Sequence, residues 1–202
     1  MILRLAGAVS VALVTSSVPL AGIEAQPPSL DTSVLQSGDL VFREGVGWRS
    51  TAVVAASRFR LTHVGIVERV GDSIFVIDAE PPEDGRPGVV RRVTLAQFSS
   101  PRDAKRTVAY RLTGLSGQQR LSREARRFVG RPFDDAFDLD DDSALYCTEL
   151  VWRSLATTGE QFRPQTTHIR LGVLEGDYLT PMDLLISARR AGLGPKPLSL
   201  QN

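Results

Sequence analysis

Apolar and polar residues alternate in short runs through the middle of the chain and recur at helical spacing toward its C-terminal half. Gly38-Asp-Leu-Val-Phe42 reads as a short strand entered through a turn, and Ser50 to Phe59 as a helix capped by Ser50. Thr62 to Val70 and Ser73 to Ala79 are β-rich runs separated by Gly71-Asp72, the signature of a two-residue hairpin. A loop from Pro81 to Pro87 leads to two more strands, Val89–Val93 and Thr107–Leu112. A helix is predicted from Ser116 to Val129, with Leu121, Ala125, Phe128 and Val129 on one face and Gly130 and Pro132 as its stop. A second runs from Cys147 to Ala156, and Thr180-Pro-Met-Asp183 carries the chemistry of a third helix start. The pattern is α+β: an antiparallel sheet packed against helices.

The N-terminus departs from it. Arg4 precedes a largely apolar run, Leu5 to Val14, and small residues lead to Ala25 ahead of Gln26-Pro-Pro28. This is the layout of a secretory signal peptide over 1–25, followed by a linker, 26–36, and one domain, 37–202. The run is shorter than the roughly 20 apolar residues of a membrane span, so a cleaved leader is read ahead of an uncleaved anchor. The expected location is therefore periplasmic or extracellular.

Lys and Arg number 24 against 23 Asp and Glu, a net charge of +1 that gives no ground for nucleic-acid binding. A single cysteine, Cys147, excludes an intrachain disulfide and a zinc site built from several cysteines, and no cofactor is implied. An exported lone thiol is either buried and inert or reactive by design. Leu150, Val151 and Leu155 begin their helical spacing just after Cys147, which puts the sulfur at a helix N-terminus. Unpaired N–H groups and the helix dipole there stabilise a thiolate and can form part of an oxyanion hole.

A nucleophile needs a base on rigid structure. Of the two histidines, His63 opens a strand, whereas His168 lies in Pro164-Gln-Thr-Thr-His-Ile169, which reads as a loop. With Gly71-Asp72 as the turn, Val70 pairs with Ser73, His63 faces Glu80, and Asp78 lies diagonal to it on the same face. Either carboxylate could orient the imidazole.

Gly38-Asp-Leu-Val-Phe42, Thr62-His-Val-Gly-Ile-Val67, and Gly130-Arg-Pro-Phe133 leading to Tyr146-Cys-Thr-Glu-Leu-Val151 resemble the NlpC-type papain-like hydrolases. Here the histidine segment precedes the cysteine segment, the order of the circularly permuted YiiX/YaeF-like branch. The resemblance covers roughly 36–155 plus the Thr180-Pro181 helix start, and implies a permuted papain-like fold. It makes Cys147 the nucleophile, His63 the base and Asp78 the third residue, where the branch typically has glutamate. The implied function is an exported cysteine hydrolase cleaving amide or ester bonds through a thioester, acting on cell-wall peptides or lipid-like amides near a membrane. A non-catalytic binding module that kept the fold is the alternative, and it requires an inert Cys147.

Asp134, Asp135, Asp138, Asp140, Asp141 and Asp142 crowd the loop before Cys147. Counted from Asp138, their spacing imitates a calcium loop with Glu149 at position twelve, but Ser143 stands where glycine is required. The simpler reading is a solvated acidic loop, with no metal site assigned.

Overall fold

The computed structural model describes residues 30–198, apart from 84, 161, 172 and 173. The predicted leader lies outside the described residues. No helix among them is long and apolar enough to cross a membrane.

Six strands form one antiparallel sheet in the order β4-β3-β2-β1-β5-β8. They are β1 (Leu40–Gly45), β2 (His63–Val70), β3 (Ser73–Glu80), β4 (Val89–Thr94), β5 (Ala104–Leu112) and β8 (Pro195–Pro197). A separate hairpin pairs β6 (Thr167–Leu171) with β7 (Leu174–Tyr178). The helices are α1 (Gly47–Ser57), the single turn α2 (Leu95–Phe98), α3 (Gln118–Arg126), α4 (Cys147–Thr157) and α5 (Pro181–Arg190).

Period-two alternation gives the sheet two apolar faces. Phe42, Val64, Ile66, Ile77 and Val90 join Leu121, Leu150, Leu155 and Leu184 of the helices in the larger core. Each fully buried aliphatic of this kind contributes about 1.5–3 kcal/mol. The opposite face buries Val41, Val67, Val76 and Ala109 under Leu35 and Phe98. Leu35, inside the predicted linker, is thus part of the packed domain.

The Gly71-Asp72 turn holds, with Gly71 at φ +58°, and the β2–β3 ladder runs from Val70↔Ser73 to Gly65↔Asp78. Thr180 and Asp183 form a reciprocal capping box with Pro181 in the first turn of α5. Other boundaries differ. The first strand begins at Leu40, because Gly38 (φ +92°) turns against the Gln118 backbone and the Asp39 carboxylate accepts the Gln36 N–H and pairs with Arg111. Helix α1 starts at Gly47, uncapped by any side chain, and the Ser50 hydroxyl instead accepts from Thr62. Helix α3 is shorter than its apolar stripe, starting after left-handed Gly117 and loosening into turns beyond Arg126. His168 is not on a loop: it pairs with Asp177 across the β6–β7 hairpin.

Candidate active site

Cys147 is the first residue of α4, half-buried, with Tyr146 as the N-cap. Two hydrogen bonds pin this helix start to the approach of α5: Leu179 N–H donates to the Tyr146 hydroxyl (3.1 Å), and Thr148 Oγ1 donates to the Leu179 carbonyl (2.5 Å). Burial raises the Tyr146 phenol above its ordinary range, so it stays neutral.

His63 opens β2 opposite Arg43 of β1 and is 7% exposed. Its Nε2 lies 2.9 Å from Asp78 Oδ2 and 3.5 Å from Glu80 Oε2, so of the two carboxylates Asp78 makes the bond. Cys147 lines the same cavity as this ring and favours its protonation. With Nε2 engaged by Asp78, Nδ1 is the nitrogen left for the sulfur. Burial and the Arg43 guanidinium oppose protonation of the ring, but Cys147 and Asp78 outweigh them and raise its pKa to about 9. Asp78 is completely buried, which alone would raise its carboxyl. Its bond to His63 and the charge of Arg91 hold it down at about 2 instead.

Three residues to which the sequence assigned no role complete the arrangement. Arg91 stands opposite Asp78 on β4 and bonds both Asp78 Oδ1 (3.0 Å) and Glu80 Oε2 (2.9 Å). Arg43 grips Glu80 with one nitrogen at 2.9 and 2.8 Å and lies 5.0 Å over the Phe98 ring. Gly65 is the ladder partner of Asp78. A Cβ there would meet Val76 Cγ1 at 2.4 Å and Asp78 Cβ at 3.2 Å. The glycine of Thr62-His-Val-Gly-Ile thus leaves Asp78 its space. Nothing local marks the arginines, because their partners come from strand pairing.

The sulfur and the ring face a cavity of about 610 Å³, within the roughly 300–1,000 Å³ common for small-molecule sites. One wall is aromatic: Phe137 meets Phe133, Tyr146 and Tyr178 edge-on at 6.0, 5.0 and 5.3 Å. Phe137 holds φ +57°, a left-handed backbone that costs a non-glycine residue roughly 1–2 kcal/mol and aims the ring into this cluster. Trp48 of α1 and Val46 just before it also line the cavity.

The acidic loop folds onto itself. Asp134 accepts from the Ala136 and Asp138 N–H groups, Asp138 from Asp140, and Asp141 from Ser143. Glu149, the twelfth position of the imitated calcium loop, is buried within α4 and bonded to Arg153. Among the described residues, the side chains that converge closely enough to share an ion are His63, Asp78 and Glu80, not this loop.

The family model for the permuted papain-like amidase enzymes of the YaeF/YiiX, C92 type matches residues 34–172. The chain belongs to this family of permuted papain-like amidases. The matched span contains His63, Asp78 and Cys147 together, in the permuted order. The YiiX protein of Escherichia coli strain K12 is 28% identical over 121 residues, which is 58% of this chain and 56% of that protein. This chain therefore spans little more than half the length of that relative. A crystal structure described as the metalloprotein YiiX from Escherichia coli O157:H7 superposes with a TM-score of 0.65 at 20% identity, covering 82% of this chain and 97% of that one. The permuted papain-like α+β fold is shared.

Proposed function

We propose that this chain is an exported cysteine hydrolase, with Cys147 as nucleophile, His63 as its proton partner and Asp78 as the group that orients His63, acting on amides or esters of apolar acyl groups. The observation that carries the reading is one imidazole bonded to a buried carboxylate and sharing a cavity wall with a helix-start sulfur. The aromatic wall favours an acyl chain over a polar cell-wall peptide. The leader-like sequence of residues 1–25 supports action outside the cytoplasm.

His63 takes the proton of Cys147. The thiolate attacks the carbonyl carbon, and the N–H groups at the start of α4 receive the developing oxyanion. The carbonyl re-forms as the carbon–nitrogen or carbon–oxygen bond breaks, and His63 Nδ1 delivers its proton to the leaving group. Water, deprotonated by the now neutral ring, then attacks the thioester, releasing the acid and restoring the pair. Asp78 keeps the ring in register throughout.

The description of the solved relative as a metalloprotein raises an alternative use of His63, Asp78 and Glu80. The residues of this chain do not fit it. Arg91 bonds both carboxylates and Arg43 grips Glu80, so two guanidinium cations already occupy the charge a metal ion would seek.

Hydrolysis of a panel of p-nitrophenyl esters and N-acyl amides of increasing chain length tests the proposal. Activity should rise with chain length and vanish in Cys147→Ala. Full turnover by Cys147→Ala, or a Cys147 inert to iodoacetamide in the native protein, overturns it in favour of a binding module.

A further inference from the structure

We propose that the face around the mouth of the cleft docks onto an anionic lipid surface, with Trp48 and Val46 entering the interface. The inference builds on the apolar-acyl reading of the cleft, but stands on observations made outside the reacting groups. Trp48 is 70% exposed and Val46 38%, and both line the cleft rim. Gly47 between them has φ +88° and open space where a Cβ would stand. Tryptophan, apolar in body and polar at its indole nitrogen, is the side chain best suited to a water–lipid boundary. Here it carries Arg49 stacked at 5.0 Å, and Arg49 reaches across to the Pro82 carbonyl on the facing rim.

The surroundings are cationic. Strand β5 starts beside this rim, where the Val46 N–H donates to the Asp103 carbonyl, and it presents exposed Lys105 and Arg106. Arg58 and Arg60 lie exposed just beyond α1. Arg60 bonds the Glu44 carboxylate at 3.1 and 2.7 Å, and Arg106 is the cross-strand partner of Glu44. Arg43 and Arg60 are paired with Glu80 and Glu44, which leaves Arg49, Arg58, Lys105 and Arg106 against the carboxylates of Glu83, Asp103 and Asp135. An exposed tryptophan flanked by arginine and lysine matches an anionic headgroup layer over acyl chains. Docking in this pose brings the cleft mouth to the membrane, from which an acyl substrate could enter without crossing water.

The test uses the full-length Cys147→Ala protein, so that binding is read without turnover and stays independent of the proposed catalysis. Vesicles of phosphatidylglycerol and phosphatidylcholine, or of phosphatidylcholine alone, carry a spin label in their acyl chains, and quenching of tryptophan emission is followed. The chain before Trp48 contains no tryptophan, and half-buried Trp152 is bonded to the Phe162 carbonyl, so a membrane-bound N-terminal segment does not itself generate the signal. The expected result is quenching on anionic vesicles that is lost in Trp48→Leu and reversed by high salt. Lys105→Ala and Arg106→Ala should each weaken partitioning about fivefold. Absence of quenching, quenching unchanged in Trp48→Leu, or equal quenching on both vesicle types at low and high salt overturns the proposal.

Discussion

Gly65 lies directly across the β2–β3 ladder from Asp78, and the missing side chain is what lets that carboxylate lean toward His63. A methyl group at position 65 must displace Val76 or Asp78, both held in a packed sheet. Gly65→Ala should cost about 1–3 kcal/mol of stability, read from urea unfolding. It should also lower hydrolysis more than it lowers the folded fraction, because the Asp78–His63 contact is disturbed.

Asp78→Asn removes the carboxylate that supports the imidazolium. The His63 pKa should fall from about 9 toward its ordinary value. With two histidines in the chain, ring-proton NMR can follow each titration directly. The rate of hydrolysis should drop by about 10²–10⁴, the range typical for loss of oriented acid–base chemistry. An unchanged titration would remove Asp78 from the relay.

Arg43→Gln should act in the opposite direction. Arg43 opposes protonation of His63 and also holds Glu80 at 3.5 Å from the ring. Without it the His63 pKa should rise above about 9, with Arg91 still holding Glu80. The same NMR titration reads the shift.

Glu149 gives a separable pH effect. It is completely buried two residues after Cys147, and its Oε2 has no hydrogen-bond partner. Burial, with Asp134 adding repulsion, raises its pKa from 4.5 to about 7 against the pull of Arg153. A proton held more tightly in the folded chain adds stability that is complete below pH 4.5 and is lost as pH rises through about 7. Glu149→Gln should therefore raise Tm more at pH 8 than at pH 5. An equal change at both pH values would show that Glu149 carries no such charge penalty.

What the sequence revealed and what it hid divide along sequence distance. The Gly71-Asp72 turn sets the hairpin register, and that register alone places Asp78 and Glu80 beside His63. The start of α4 and the α5 capping box follow from residues a few positions apart. Arg91 and Arg43 were not legible, because the eight residues between β3 and β4 carry no two-residue turn and β1 pairs with β2 across α1. His168 sits after Pro164 and two threonines, so its strand shows only once β7 is opposite it. The left-handed Phe137 has no local signal either, since the aromatic cluster that favours it is assembled from three separate segments.

In the proposed mechanism the two arginines have a consequence for how charge moves during turnover. With the proton on His63, the imidazolium and the guanidiniums of Arg43 and Arg91 are matched by Asp78, Glu80 and the sulfur. The cluster is then electrically neutral as a whole. Attack on a carbonyl carries one negative charge from sulfur to oxygen without changing that total. An uncharged acyl substrate can therefore enter, react and leave a site whose net charge stays constant, with no counter-ion needed to follow it.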